Sequence, residues 1–232
     1  PHVSASAVAM DKTLTKLVVD KAGVPQAAWE LVLSSRLAKH MASILDSLEQ
    51  RFTYPMFVKP ANCGSSVGIS KVSNKQELKS GIKMAFSHDK KVVVEQGVVG
   101  VECEVAVMGN DKPFASTVGE IQAANEFYDY EAKYQNAESK TLIPATFSKN
   151  AIEAVREQAI KAYKAMGCCG LARVDFFLCE NDTIILNEIN TLPGHTPISM
   201  YPQLMAHEGI SFEEQEDRLI KLALERAGVD YE

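Results

Sequence analysis

The chain has 232 residues, 46% of them hydrophobic, enough to bury a sizeable core as one large domain or as two subdomains. A formal charge of −6 and a pI near 5.5 leave no basic stripe for nucleic acid. No apolar run approaches the roughly 18 residues of a membrane-spanning helix, and the opening PHVSASAVAM has neither the charged n-region nor the apolar core of a signal peptide.

In chain order, Asp11 to Ala22 reads as a helix ended by Gly23 and Pro25, and a second amphipathic stretch runs from Ser35 to Leu48. YPMFVKPANCGSSVGISKV reads as strand, glycine-rich turn and strand. Lys59 ends the first of these strands. Gly64, Ser65, Ser66 and Gly68 can turn backbone N–H groups and hydroxyls onto a phosphate, with the lysine adding charge. A plain hairpin needs the same glycines and the P-loop pattern is absent, so both readings stand. Ser73 and Gln76 form a capping box for a helix through Phe86, with Leu78, Ile82 and Phe86 on one face. KVVVEQ and ECEVAVMG are strands on either side of Gly97 and Gly100. Glu95, Glu102 and Glu104 are either solvated rim carboxylates or part of a strand-end site for an adenine edge and ribose hydroxyls; periodicity does not choose.

Phe114 to Ile121 is a further strand, and Ala123 to Thr141 a long loop. Its core, EFYDYEAKY, puts four aromatics in nine residues, which suits a functional lid better than an inert surface loop. Asn150 with Glu153 caps a helix whose stripe is Ile152, Val155, Ala159, Tyr163 and Met166, stopped by Gly167. The five cysteines are odd in number and lack zinc spacing, and read as reduced packing residues of a cytoplasmic protein.

RVDFFLCENDTIILNEIN, residues 173 to 190, reads as a hairpin with a two-residue loop at Asn181 and Asp182. That register sets Asp175 opposite Glu188 and Arg173 opposite Asn190, with Ile184, Leu186, Glu188 and Asn190 sharing a face. Like charges placed opposite each other destabilise a sheet. Two carboxylates and an amide oxygen are ligands of the kind Mg²⁺ takes, so a divalent cation or a salt-bridge cluster with Arg173 is expected. In the following loop Gly194 lies near Arg173, and a glycine N–H with a guanidinium is a donor pair for an oxyanion. His195 reads as structural. A last helix runs from Phe212 to Ala227. The mixture of helices and short antiparallel strands predicts an α+β protein of two subdomains, residues 1–100 and 101–232.

Taken together, VKPANCGSSVGISKV, VVVEQ, GVECEVAV, FYDYEAKY, GLARVDFFL and NEINTLPGHTPISMYP resemble, in order, the ATP-grasp portion of D-alanine:D-alanine ligases, over essentially the whole chain. The resemblance implies an ATP-grasp fold with the nucleotide held between the subdomains, and ATP and two Mg²⁺ ions, with Mn²⁺ a possible substitute, as cofactors. Lys12 and Lys59 match nucleotide-phosphate lysines, Ser65 and Ser66 the phosphate loop, Glu95, Gln96 and Val98 the adenine site, and Glu102 the ribose ligand. Asp175, Glu188 and Asn190 match the metal ligands, Arg173 and the Gly194 N–H the oxyanion donors. Tyr128 and Lys133 fall in the lid, Tyr134 in the network near the substrates, and Ser199 at the second substrate's carboxylate. The implied reaction joins two D-alanines through an acyl phosphate, for peptidoglycan precursors in the cytoplasm, by a protein that is a homodimer at full length. Cys63 departs from the larger side chain expected there. The family's amino-terminal domain, which holds the first D-alanine, is expected to be missing, since the chain begins just before AMDK. The alternatives are an Mg-ATP-binding module without turnover and a D-alanine:D-serine ligase.

Overall fold

The computed structural model describes residues 1–122 and 140–229, which form two antiparallel sheets with helices packed on them. The smaller sheet has the order β1-β4-β2-β3, from β1 (Trp29–Leu33), β2 (Met56–Pro60), β3 (Ser70–Val72) and β4 (Lys91–Gln96). Its strands alternate. Val58, Val92 and Val94 face helices α3 (Ser34–Arg51) and α4 (Lys75–Phe86), where they pack with Leu48, Leu78 and Ile82. The same alternation turns Phe57, Lys59, Val93 and Glu95 to the other face, in register as Phe57 opposite Glu95 and Lys59 opposite Val93.

The larger sheet has the order β7-β6-β5-β8-β9, from β5 (Val101–Gly109), β6 (Phe114–Gln122), β7 (Lys140–Leu142), β8 (Gly170–Leu178) and β9 (Ile184–Asn190). One face buries Cys103, Val105, Val107, Val174 and Phe176. It packs against Val155, Ala159 and Tyr163 of α5 (Lys149–Ala165) and Val19 of α2 (Lys12–Lys21). A helix not foreseen in the sequence, α1 (Val3–Met10), adds Ala5 to this core. The other face is covered at one end, where Ala106 and Met108 meet α6 (Met200–His207), itself unforeseen, and α7 (Phe212–Ala227). Its uncovered end carries Glu102, Glu104, Arg173, Asp175 and Phe177. The first two helices thus pack on the sheet formed by the second half of the chain. The expected boundary near residue 100 falls between β4 and β5.

Five local expectations need correction. The α4 cap is one residue later than predicted. Asn74, not Ser73, accepts from the Glu77 N–H, and Glu77 reaches back to the Ser73 N–H at 2.8 Å. The α5 cap is Ser148, accepting from the Ala151 N–H, rather than Asn150. The turn of the hairpin holds three residues, Glu180–Asp182, with Asn181 and Asp182 both left-handed, and the Cys179 N–H donates to the Thr183 carbonyl. Near the turn the pairs are therefore Leu178 with Ile184 and Phe176 with Leu186, but a bulge at Asn187 restores Asp175 opposite Glu188 and Arg173 opposite Asn190. The polar pairs are as predicted; the shared face is not. The extra residue reverses the alternation, so Ile184 and Leu186 join Ile189 in the core while Glu188 and Asn190 point to the opposite face. The end of the expected loop, Lys140 and Thr141, belongs to the edge strand β7. The five cysteines are free thiols, three of them buried.

Because an N-cap hydroxyl satisfies a helix N–H that otherwise has no partner, Ser148→Ala is expected to cost about 1 kcal/mol. Asn150→Ala should cost a few tenths at most. Urea unfolding of both variants measures the difference.

Candidate active site

A cleft of about 480 Å³ opens between the two sheets. Its lining brings together Lys12, Lys59, Ser65, Ser66, Glu95, Gln96, Val98, Glu102 and Glu188, nine of the residues singled out from the sequence. It also contains Lys16 and Glu120, which were not.

The floor is a charge cluster. Glu95 is 7% exposed. Its Oε2 is 2.8 Å from Lys59 Nζ and its Oε1 3.2 Å from Lys16 Nζ. Burial works against the carboxylate charge, but Lys59 and Lys16 outweigh it and bring the pKa down to about 2. Lys12 stands one helical turn before Lys16 on α2 and donates to the Cys63 carbonyl at 2.6 Å, tying the helix to the glycine-rich loop. Burial lowers the pKa of both Lys12 and Lys16; Glu188 across the cleft partly offsets this for Lys12, and Glu95 does so for Lys16. Three lysines against one carboxylate leave the floor two positive charges, a setting for a polyanion. Above it, Ser65 and Ser66 both have positive φ, 50° and 59°. Side-chain-bearing residues adopt that conformation at some cost. Gly68 is also left-handed, and a Cβ there would lie 2.6 Å from the His88 ring and 2.8 Å from Pro60.

At the end of β4 the Gln96 side chain is committed to the backbone of Thr53, accepting from its N–H at 2.9 Å and donating to its carbonyl at 3.0 Å. The Gln96 backbone N–H donates to the Ala28 carbonyl at 2.9 Å. Glu102 begins the opposite wall, paired with Phe177.

Next to the cleft, which only Glu188 of them lines, three carboxylates stand side by side on adjacent strands: Glu104 opposite Asp175, and Asp175 opposite Glu188. Arg173 lies among them. Its Nε and Nη2 donate to Asp175 at 2.8 and 2.7 Å, and its Nε is 3.0 Å from Glu104 Oε2. Burial disfavours the guanidinium charge, but Asp175, Glu104 and Glu188 outweigh it, and Arg173 holds its proton more tightly than usual. Asn190 Nδ2 is 3.1 Å from Asp175 Oδ2 and 3.4 Å from Glu188 Oε1, so one amide touches both acids. Asp175, Glu188 and Asn190 thus meet at one place, with the amide nitrogen between the two acids; two carboxylates and an amide are residue types that fit Mg²⁺. No cluster of three His, Cys, Asp or Glu in metal-binding arrangement occurs among the described residues. Gly194 lies against Ser199, whose Oγ is 3.0 Å from where a glycine Cβ would be and accepts from the Thr196 N–H. His195 has its Nε2 2.9 Å from Glu216 and its ring against Tyr201 and Phe212. Tyr128, Lys133 and Tyr134 lie outside the described residues.

Lys16 and Glu120 were missed in the sequence. Lys16 had one available signal, its spacing of four from Lys12 on the same helix face. Glu104 was left open between a rim acid and a strand-end site; it is 6% exposed and faces Arg173.

Residues 18–221 match the family model described as D-ala D-ala ligase C-terminus. The chain belongs to that family. It is 49% identical over 225 residues to the D-alanine–D-alanine ligase of Acetivibrio thermocellus, covering 97% of this chain and 60% of that protein. It is 50% identical over 224 residues to the ligase of the same name from Pelodictyon phaeoclathratiforme, with 96% and 62% covered. Among solved structures it resembles the VanG D-Ala:D-Ser ligase of Enterococcus faecalis, with a TM-score of 0.85, 39% identity, and 94% of this chain and 63% of that one covered. The D-alanine-D-alanine ligase of Coxiella burnetii gives a TM-score of 0.84 at 34% identity, with 97% and 59% covered. The chain therefore spans about three fifths of the length of these ligase-family relatives. Its fold is the α+β ATP-grasp fold of the family. No helix among the described residues is long and apolar enough to cross a membrane.

With a folded pKa near 2 against an ordinary value of 4.5, ionised Glu95 contributes stability above pH 4.5 that is lost as the pH falls toward 2. The contribution is on the order of 3 kcal/mol. The stability difference between wild type and Glu95→Gln should therefore be largest near neutral pH and shrink through that window, as denaturant melts at stepped pH would show.

Proposed function

We propose that the chain carries the nucleotide and acceptor sites of an ATP-dependent ligase that joins two D-alanines. What carries this is a cleft whose lining joins three lysines to Glu188, itself beside Asp175 and Asn190, in a chain of this family. In this reading the phosphates of ATP lie on Lys12, Lys59 and the N–H and hydroxyl groups of Ser65 and Ser66. The adenine edge meets the backbone of Gln96 and Val98 at the strand end that Glu95 closes, and Glu102 takes the ribose hydroxyls. Asp175, Glu188 and Asn190 would hold two Mg²⁺ ions, or Mn²⁺, which neutralise and polarise the phosphoryl oxygens.

A carboxylate oxygen of the first D-alanine attacks the γ-phosphorus, ADP departs, and an acyl phosphate forms. The amine of the second D-alanine, its carboxylate received at Ser199, attacks the acyl carbon. Arg173 and the Gly194 N–H stabilise the oxyanion; phosphate then leaves as the nitrogen gives up a proton. Tyr128, Lys133 and Tyr134 belong to a lid that excludes water from the acyl phosphate. The same reading carries a cytoplasmic setting in peptidoglycan-precursor synthesis and a homodimer at full length.

Two variants stand beside it. The likeness to a D-Ala:D-Ser ligase supports D-serine as the acceptor. The other variant is a module that binds Mg-ATP without turnover.

The purified protein with ATP, Mg²⁺ and D-alanine is expected to release ADP and phosphate in step with D-alanyl-D-alanine, followed by coupled ADP assay and mass spectrometry. Mixed product formed preferentially when D-serine is added would move the assignment to the D-serine acceptor. ATP binding without ADP release would leave the module, and absence of ATP binding would contradict all three readings.

A further inference from the structure

Lys16 has no part in the reaction above, yet it is 5% exposed on the floor of the cleft. A lysine that far from water needs a reason, because desolvation opposes its charge. Its partner is Glu95, and Glu95 has a second partner in Lys59. The three form a line in which one carboxylate is shared between two ammonium groups, one oxygen to each.

Had Glu95 only Lys59, the pair would be neutral, and Lys59 would offer a bound phosphate chain little net charge. With Lys16 supplying the counter-charge, Lys59 keeps its own. The neighbouring acid Asp11 does not enter this balance, since it is paired with Lys91 and caps α2 through the N–H groups of Thr13 and Leu14.

We propose that Lys16 is a positioning residue that neutralises Glu95, leaving Lys59 charged and aimed at the phosphates of the nucleotide. The proposal rests on the reading of the cleft as an ATP site. It makes a counting argument. Lys12, Lys16 and Lys59 against Glu95 leave two positive charges in the wild type. Lys16→Met leaves one, and Lys16→Met combined with Glu95→Gln restores two.

The test is titration calorimetry of the whole chain with Mg-ATP and with adenosine, for wild type, K16M, E95Q and the double variant. The ratio of the two affinities cancels contacts to the base and sugar and reports the phosphates. K16M is expected to lower that ratio about tenfold or more, as loss of one nearby charge in a partly desolvated site implies. The double variant should return to within about threefold of wild type. A ratio unchanged in K16M, or a ratio that falls as far in the double variant as in K16M, overturns the proposal. A merely structural Lys16 would lose ATP and adenosine alike and would not be rescued by removing its partner. If K16M does not melt cooperatively, K16Q decides by the same ratio. A wild-type protein that binds adenosine and ATP equally contradicts the ATP-site reading itself and is distinguishable from either result on Lys16.

Discussion

The Lys16–Glu95–Lys59 line is the interaction on which the rest of the site depends, because its members come from different layers of the fold. Glu95 and Lys59 stand on the four-stranded sheet, whereas Lys16 is on α2, whose Val19 is buried in the core of the five-stranded sheet. The line therefore joins the two walls of the cleft at its floor. Around it the N-terminal end of α2 makes further links to the small sheet and its loop: the Lys12 N–H donates to the Ala61 carbonyl at 2.9 Å, the Lys12 side chain to Cys63, and Asp11 pairs with Lys91. Removing Glu95 from such a buried line leaves two ammonium groups without their shared partner, which costs several kcal/mol, whereas removing one lysine leaves a neutral pair. The shared carboxylate thus ties the two walls together and leaves the line with one positive charge in excess at the floor.

The opposite wall depends on a single inserted residue. Without the bulge at Asn187, strict alternation would place Glu188 and Asn190 on the same face as Ile184 and Leu186, against the apolar core. With it, the hydrophobic residues stay buried and the polar pair turns to Arg173 and Asp175. Burial of Ile184, Leu186 and Ile189 thus fixes where the acids point, and a packing constraint becomes a chemical one.

Much of this could be read from the residues alone. Alternation located the strands β2, β4, β5, β8 and β9, and pairing Asp175 with Glu188 needed only the turn and the period. The pairing survived a wrong turn because the three-residue loop and the bulge are compensating one-residue shifts, which no local pattern distinguishes from neither. The face of Ile184 and Leu186 was wrong for the same reason. Caps were misplaced by one or two residues where several polar residues compete, as Ser73 does with Asn74 and Ser148 with Asn150. Lys16 was passed over and Glu104 left undecided because their meaning lies in long-range partners, Glu95 and Arg173, 79 and 69 positions away. Nor could the first two helices be assigned to the far sheet, since that contact rests on tertiary packing of Ala5 and Val19.

The most direct measurement is a crystal structure of the protein with Mg²⁺ and a non-hydrolysable ATP analogue. The account predicts the β- and γ-phosphates within hydrogen-bond distance of Lys12 and Lys59 Nζ, metal density bounded by Asp175, Glu188 and Asn190, and Lys16 still on Glu95. A nucleotide bound outside the cleft, or phosphates in the cleft with neither lysine in reach, would contradict it.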